Sequence, residues 1–160
     1  MMVTLVTIMT ARAQALELEN FLPYRLSILS QTVSEALHGL YASPYGLSVP
    51  QWRVMAVLGR FAPMAAADIC QRTVMDKVAV SRAVADLRSR GLVAAAVDRR
   101  DARRTALTLS PAGRAMHRRI VPIALEFERS VASALSSEER AVFVALCERL
   151  QARAEAVSAS

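Results

Sequence analysis

The chain is poor in cysteine, glycine, proline and lysine: of 160 residues, two are Cys, five Gly, six Pro and one, Lys77, is Lys. Cys70 and Cys147 cannot build a disulfide framework, so the chain fits a reducing, cytoplasmic setting. The scarcity of Gly and Pro excludes collagen-like and linker-like sequence. His38 and His117 stand far from each other and from both cysteines, which is not zinc-site spacing, so no metal or cofactor is expected. Apolar runs fall short of the roughly 18 to 20 residues of a membrane-spanning helix. The apolar stretch from Met1 to Thr10 precedes Ala11-Arg12-Ala13 but carries no Lys or Arg. It is therefore read as part of an N-terminal arm, residues 1–17, and not as a secretion signal. A nucleophile elbow, a phosphate loop and suggestively spaced catalytic carboxylates are all lacking, so an enzyme ranks last among the function classes.

Apolar residues are abundant, at 54% against 21% charged, which excludes a disordered chain. They exceed what one small subunit needs to cover its own core, and a dimer interface would absorb the surplus. The net charge is +6, and it is unevenly spread. Residues 51–120 hold 14 of the 20 basic residues and five of the 14 acids, a net +9, which leaves −3 for the two ends. A basic middle between mildly acidic ends suggests a nucleic-acid-binding module framed by another kind of module.

Periodicity and capping place the elements. Leu22, Leu26, Leu29, Val33, Leu37 and Leu40 recur at helical spacing, predicting an amphipathic helix over about 20–41, closed by Gly39 and Ser43-Pro44. Ser48-Val49-Pro50-Gln51 is a capping box that opens a helix ending near Gly59-Arg60. A short helix at about 66–72 follows, with Ile69 and Cys70 inward. Asp76 is a good N-cap for a helix over about 77–90, and Gly91 is its stop signal. Leu92–Val97 and Thr105–Leu109 read as a β-hairpin with a basic tip. Ser110-Pro111 opens a long helix to about 135, with Pro122 inside it. Ser136-Ser137-Glu138-Glu139 caps a last helix bearing Phe143, Leu146, Cys147 and Leu150, and the final five residues are expected to fray. The expected fold class is mainly α with a small β-hairpin wing.

Three short helices followed by a hairpin make a winged helix-turn-helix, over residues 48–110. A helix fits the major groove with its N-terminal residues against base edges. Lys77, Val78, Ala79, Ser81 and Arg82 hold that position. Arg82 suits guanine or a phosphate, while Val78 and Ala79 suit thymine methyls; the competing reading pairs Arg82 with Asp86, four residues on. Arg99, Arg100, Arg103 and Arg104 at the hairpin tip suit adjacent backbone or the minor groove, and the plainer reading is a solvated turn.

Taken in order, Phe21–Leu26, Leu47–Val54, Met75–Val84, Asp98–Arg104 and Leu107–Gly113 resemble the MarR family of bacterial transcriptional regulators, from about residue 17 to 153. The resemblance implies a homodimer with interlocking terminal helices, residues 18–47 and 111–156. It implies two winged domains on a pseudo-palindromic double-stranded DNA operator, and repression relieved by a small aromatic or phenolic ligand. It also implies that Asp101 braces the wing while Arg103 enters the minor groove. Many members carry small hydroxyl residues where this chain has Val78 and Ala79. Peroxide sensors of the family have a reactive Cys near the N-terminus, and this chain has none before Cys70. Tyr24, Arg25, Trp52 and Arg53 are candidates to line an effector pocket between dimer helices and winged domain; the plainer reading makes Trp52 core and the arginines interface partners. A second function class is a winged-helix protein-interaction module without DNA binding, against which Lys77, Arg82 and the wing arginines argue.

Overall fold

The computed structural model describes residues 16–97 and 105–158. Among them, six helices and one antiparallel hairpin follow in the order α1 (Leu22–Tyr45), α2 (Val49–Phe61), α3 (Ala66–Thr73), α4 (Lys77–Ser89), β1 (Val93–Val97), β2 (Thr105–Leu109), α5 (Pro111–Ala132) and α6 (Ser137–Ser158).

Local capping chemistry sets most starts. Ser48 and Gln51 form the reciprocal box, with Gln51 N donating to Ser48 Oγ at 3.4 Å and Ser48 N to Gln51 Oε1 at 2.8 Å. Asp76 Oδ1 accepts from Ala79 N at 2.8 Å and Ser110 Oγ from Gly113 N at 3.0 Å. Ser136 and Glu139 repeat the box at α6. At the end of α4, Gly91 adopts φ +68°, and the Gly91 and Leu92 amides donate to Arg88 O and Leu87 O. That left-handed turn satisfies two carbonyls of the last helical turn and aims the chain into β1.

Three boundaries differ from expectation. Helix α1 continues through Pro44 to Tyr45 and closes at Gly46, φ +60°, whose N–H donates to Ala42 O at 2.7 Å. Pro44 lies in the last turn, where its missing N–H removes a single bond. Helix α2 passes through Gly59 and runs to Phe61. Helix α6 extends to Ser158, whose Oγ donates to Ala154 O at 3.0 Å. Helix α5 runs through Pro122, as expected, and ends at Ala132.

One core joins the elements. It contains Tyr41 and Leu47, then Trp52, Val54, Met55 and Leu58 of α2, Ile69 of α3, Val80, Ala83, Val84 and Leu87 of α4, Leu107 and Leu109 of β2, and Ile120 of α5. Each fully buried aliphatic side chain contributes on the order of 1.5–3 kcal/mol. The hairpin registers Val93 with Leu109 and Val97 with Thr105. Met64 and Leu107 bond to each other through both amides, at 3.1 and 2.8 Å, which ties the hairpin base to the segment before α3.

The outer helices are different. Leu22, Leu26, Leu29 and Leu40 of α1 are exposed although they form the predicted apolar stripe. Helix α6 buries no residue, and Val142, Phe143, Leu146 and Leu150 lie open. None of the helices described here is long and apolar enough to cross a membrane.

Candidate nucleic-acid interface

Helix α4 is held from one side only. Its inward residues Val80, Ala83, Val84 and Leu87 recur at helical spacing, so the opposite face must look outward. That face presents Lys77, Val78, Ser81 and Arg82 to solvent, with Ala79 half-buried. Four of the five predicted base-reading side chains are thus free to meet a partner. Asp86, the proposed competitor for Arg82, instead accepts from Gln51 Nε2. One glutamine closes the α2 cap with its oxygen and fixes α4 with its nitrogen. Lys77 and Arg82 make no hydrogen bond or ion pair with any described residue.

Other cations in the basic segment hold the fold. Arg90 donates to Gly46 O at 2.8 Å and Tyr45 O at 2.9 Å, covering the carbonyl end of α1. Arg53 reaches Ser34 Oγ at 3.2 Å, and Arg114 donates to Leu109 O at 2.6 Å. The Arg72 guanidinium lies 3.9 Å from the Phe61 ring centre, and that of Arg119 lies 5.9 Å from the Tyr45 ring. The sequence-level charge therefore divides into cations with internal partners and cations without.

Arg99, Arg100, Asp101, Arg103 and Arg104 fall in 98–104, outside the described residues. Val97 and Thr105, the described residues that flank it, pair with each other.

The four effector-pocket candidates do not converge within the chain. Trp52 is 8% exposed and belongs to the core. Arg53 docks on Ser34, whereas Tyr24 lies ten residues earlier on α1, roughly 15 Å along the helix, and both Tyr24 and Arg25 face solvent. Trp52 instead joins a row of rings: His38 and Tyr41 edge to face at 5.3 Å, Tyr41 and Trp52 at 5.6 Å, Trp52 and His117 stacked at 5.9 Å. The row links α1, α2 and α5. His38 Nε2 also lies 3.2 Å from Leu47 O.

Gly59 is the clearance that lets His117 in. A Cβ there would sit 2.8 Å from His117 Cδ2, with two further ring atoms closer. Burial holds the His117 pKa below its ordinary value, and neighbouring Arg118 pushes the same way. Burial raises the Tyr41 pKa, partly offset by Arg53. Sequence reading weighs both histidines as zinc ligands and takes Gly59 as a helix end. A glycine within a helical pattern is the available signal for close packing.

Cys70 is half-buried and lines a cavity of about 660 Å³ between α3, α4 and β2, together with Lys77, Ser81, Arg88 and Leu107. Cys147 is half-buried on α6.

An outward helix capped by Asp76, beside a hairpin anchored to the same core, is a winged-helix arrangement. Residues 45–104 match the family model described as MarR family. Over that segment the chain is similar to the MarR family of transcriptional regulators. A MarR-family regulator from Silicibacter pomeroyi is 26% identical, covers 85% of this chain and 91% of its own, and superposes with a TM-score of 0.73. A MarR/EmrR-family regulator from Acinetobacter sp. ADP1 is 19% identical, with coverage of 88% and 99% and a TM-score of 0.81. BpsR of Bordetella bronchiseptica, whose DNA binding is regulated by 6-hydroxynicotinic acid, is 24% identical, with coverage of 86% and 97% and a TM-score of 0.75. No curated protein matches significantly. These MarR-family neighbours are regulators and not enzymes.

Proposed function

We propose that the chain is a homodimeric, sequence-specific repressor that binds a pseudo-palindromic operator and is released by a small aromatic acid. The observation that carries the reading is the outward face of α4, where Lys77 and Arg82 have no internal partner among the described residues. Lys77, Val78, Ala79, Ser81 and Arg82 would enter the major groove. Arg99, Arg100, Arg103 and Arg104 would follow the adjacent backbone and minor groove, with Asp101 bracing the wing.

Residues 48–110 are the DNA-binding domain in this reading. Residues 18–47 and 111–156 are the dimerisation region, and the exposed leucines of α1 and apolar residues of α6 supply its interface. A stable dimer buries on the order of 1,200–2,000 Å² of surface, and these exposed apolar faces are where this chain would bury it. The ligand class is taken from BpsR and its 6-hydroxynicotinic acid. In the dimer, Tyr24 and Arg25 of one protomer could reach the Trp52 and Arg53 region of the other, which would gather the pocket candidates that a single chain leaves apart.

The test is to select duplexes from a random pool with the full chain and measure mass and affinity of the complex. Two protomers on an inverted repeat are expected, with binding weakened by an aromatic acid. Failure to bind any duplex at low salt would refute the reading. A single dominant protein partner without DNA binding would favour the interaction-module alternative.

A further inference from the structure

The turn between α3 and α4 holds a residue whose backbone closes α3 as its C-cap but whose side chain the fold does not use. Val74 adopts φ +52°, ψ +36°, in the left-handed region, and is the one non-glycine residue with positive φ among the described residues. A β-branched side chain is the least suited to that conformation, because its Cβ substituents crowd the backbone; glycine or asparagine adopts it readily. The usual compensation is packing, and Val74 has none: it is 92% exposed. The helix end calls for a left-handed residue but not for a valine, and a strained, exposed isopropyl group that returns nothing to the core points to a contact outside the chain.

The surroundings say which contact. Val74 stands two residues before Asp76, the N-cap of α4, and four before Val78, which is 58% exposed. Both valines lie within the basic segment 51–120, net +9, on the surface that carries Arg72, Lys77 and Arg82, so the partner of this surface is polyanionic. The apolar feature that a duplex offers at a major-groove edge is the thymine C5-methyl.

We infer that Val74 is a specificity-determining residue that meets a thymine methyl at the edge of the groove, beside the base contacts of α4. This rests on the DNA-binding reading above and extends it to the helix-turn-helix turn. The left-handed backbone holds the isopropyl group out from the protein before DNA arrives, so that little ordering remains at binding.

The test uses the full chain and the duplex it selects from a random pool. Each thymine is replaced in turn by deoxyuridine, which removes only the methyl. Wild type should lose about fourfold in affinity at each contacted thymine, the value of one buried methyl. Val74→Gly should lose that penalty at one position in each half-site and keep it at the others. Its thermal midpoint should equal or exceed that of wild type, since glycine relieves the strain. Val74→Asn should behave like Val74→Gly. If both variants retain the full wild-type pattern of penalties, the inference is wrong. If Val74→Gly lowers the thermal midpoint clearly, the residue serves the fold, and the inference is again wrong. If wild type selects no duplex, the DNA-binding reading fails first and this one falls with it; selection followed by an unchanged pattern removes only this one.

Discussion

Gly113→Ala tests how closely helix α5 is joined to the hairpin. Gly113 lies in the first turn of α5, and an added Cβ would sit 3.0 Å from the Leu92 carbonyl carbon and closer still to its oxygen. The obstacle is backbone and cannot rotate away. Helix α5 would have to lift from the start of β1. That movement strains the Ser110 Oγ bond to Gly91 O, 2.6 Å, and the Ser110 amide bond to Leu92 O, 3.0 Å. Overpacking costs about 1–3 kcal/mol and each of the two weakened hydrogen bonds about 0.5–1.5, so a loss of about 2–6 kcal/mol is expected. At about 2–4 °C per kcal/mol, the thermal midpoint should fall by roughly 4–24 °C. Urea unfolding followed by the fluorescence of Trp52, at one fixed protein concentration, measures it. Gly39→Ala is the control: nothing lies within 4 Å of its new Cβ, and mid-helix alanine should stabilise by about 0.5–1 kcal/mol. If the two substitutions changed stability equally, the close approach of α5 to Leu92 would be wrong.

Further expectations follow from the same contacts. Arg82→Ala should weaken binding to the selected duplex by about 1–3 kcal/mol, and Arg103→Ala should weaken binding to all duplexes and flatten the salt dependence by about one unit of slope. Electrophoretic titration at several salt concentrations separates the two. Leu29→Glu or Phe143→Glu places a charge on an exposed apolar helix face and should shift the sedimenting mass towards one protomer; an unchanged mass would move the interface elsewhere. His117 has a lowered folded-state pKa, so the unfolded chain binds the proton more readily. Its contribution should be fully present above the unfolded value near 6.5 and be lost as pH falls below it. His117→Gln should remove that part of the acid sensitivity in pH-dependent denaturation. A wild-type slope retained in the variant would contradict the assignment.

Features set by neighbours three or four residues apart were legible in the sequence. Ser48 with Gln51, Asp76, Ser110, and Ser136 with Glu139 are local chemistry, and each opens its helix where expected. The same holds for β2, whose alternation gave Thr105–Leu109. What depends on distant residues was not legible. The end of α1 was placed at Gly39 or Pro44, yet the helix runs on to Gly46, where Arg90 covers the terminal carbonyls from 44 and 45 residues away. The stacking of His117 on Trp52 needs Gly59 on another helix. The candidate site divides likewise. The spacing of buried valines fixed which face of α4 looks outward. That Asp86 serves Gln51, leaving Arg82 without it, required α2 and α4 to be brought together.

The central claim is that two copies of this chain read one duplex through α4 and the wing. The most direct test is equilibrium binding of the full chain to its selected duplex between 50 and 200 mM salt, with the mass of the complex measured alongside. Two protomers per duplex are expected, with an affinity that falls at least several hundredfold across that range, as six or more neutralised phosphates require. A complex with one protomer, or an affinity indifferent to salt, would contradict the account.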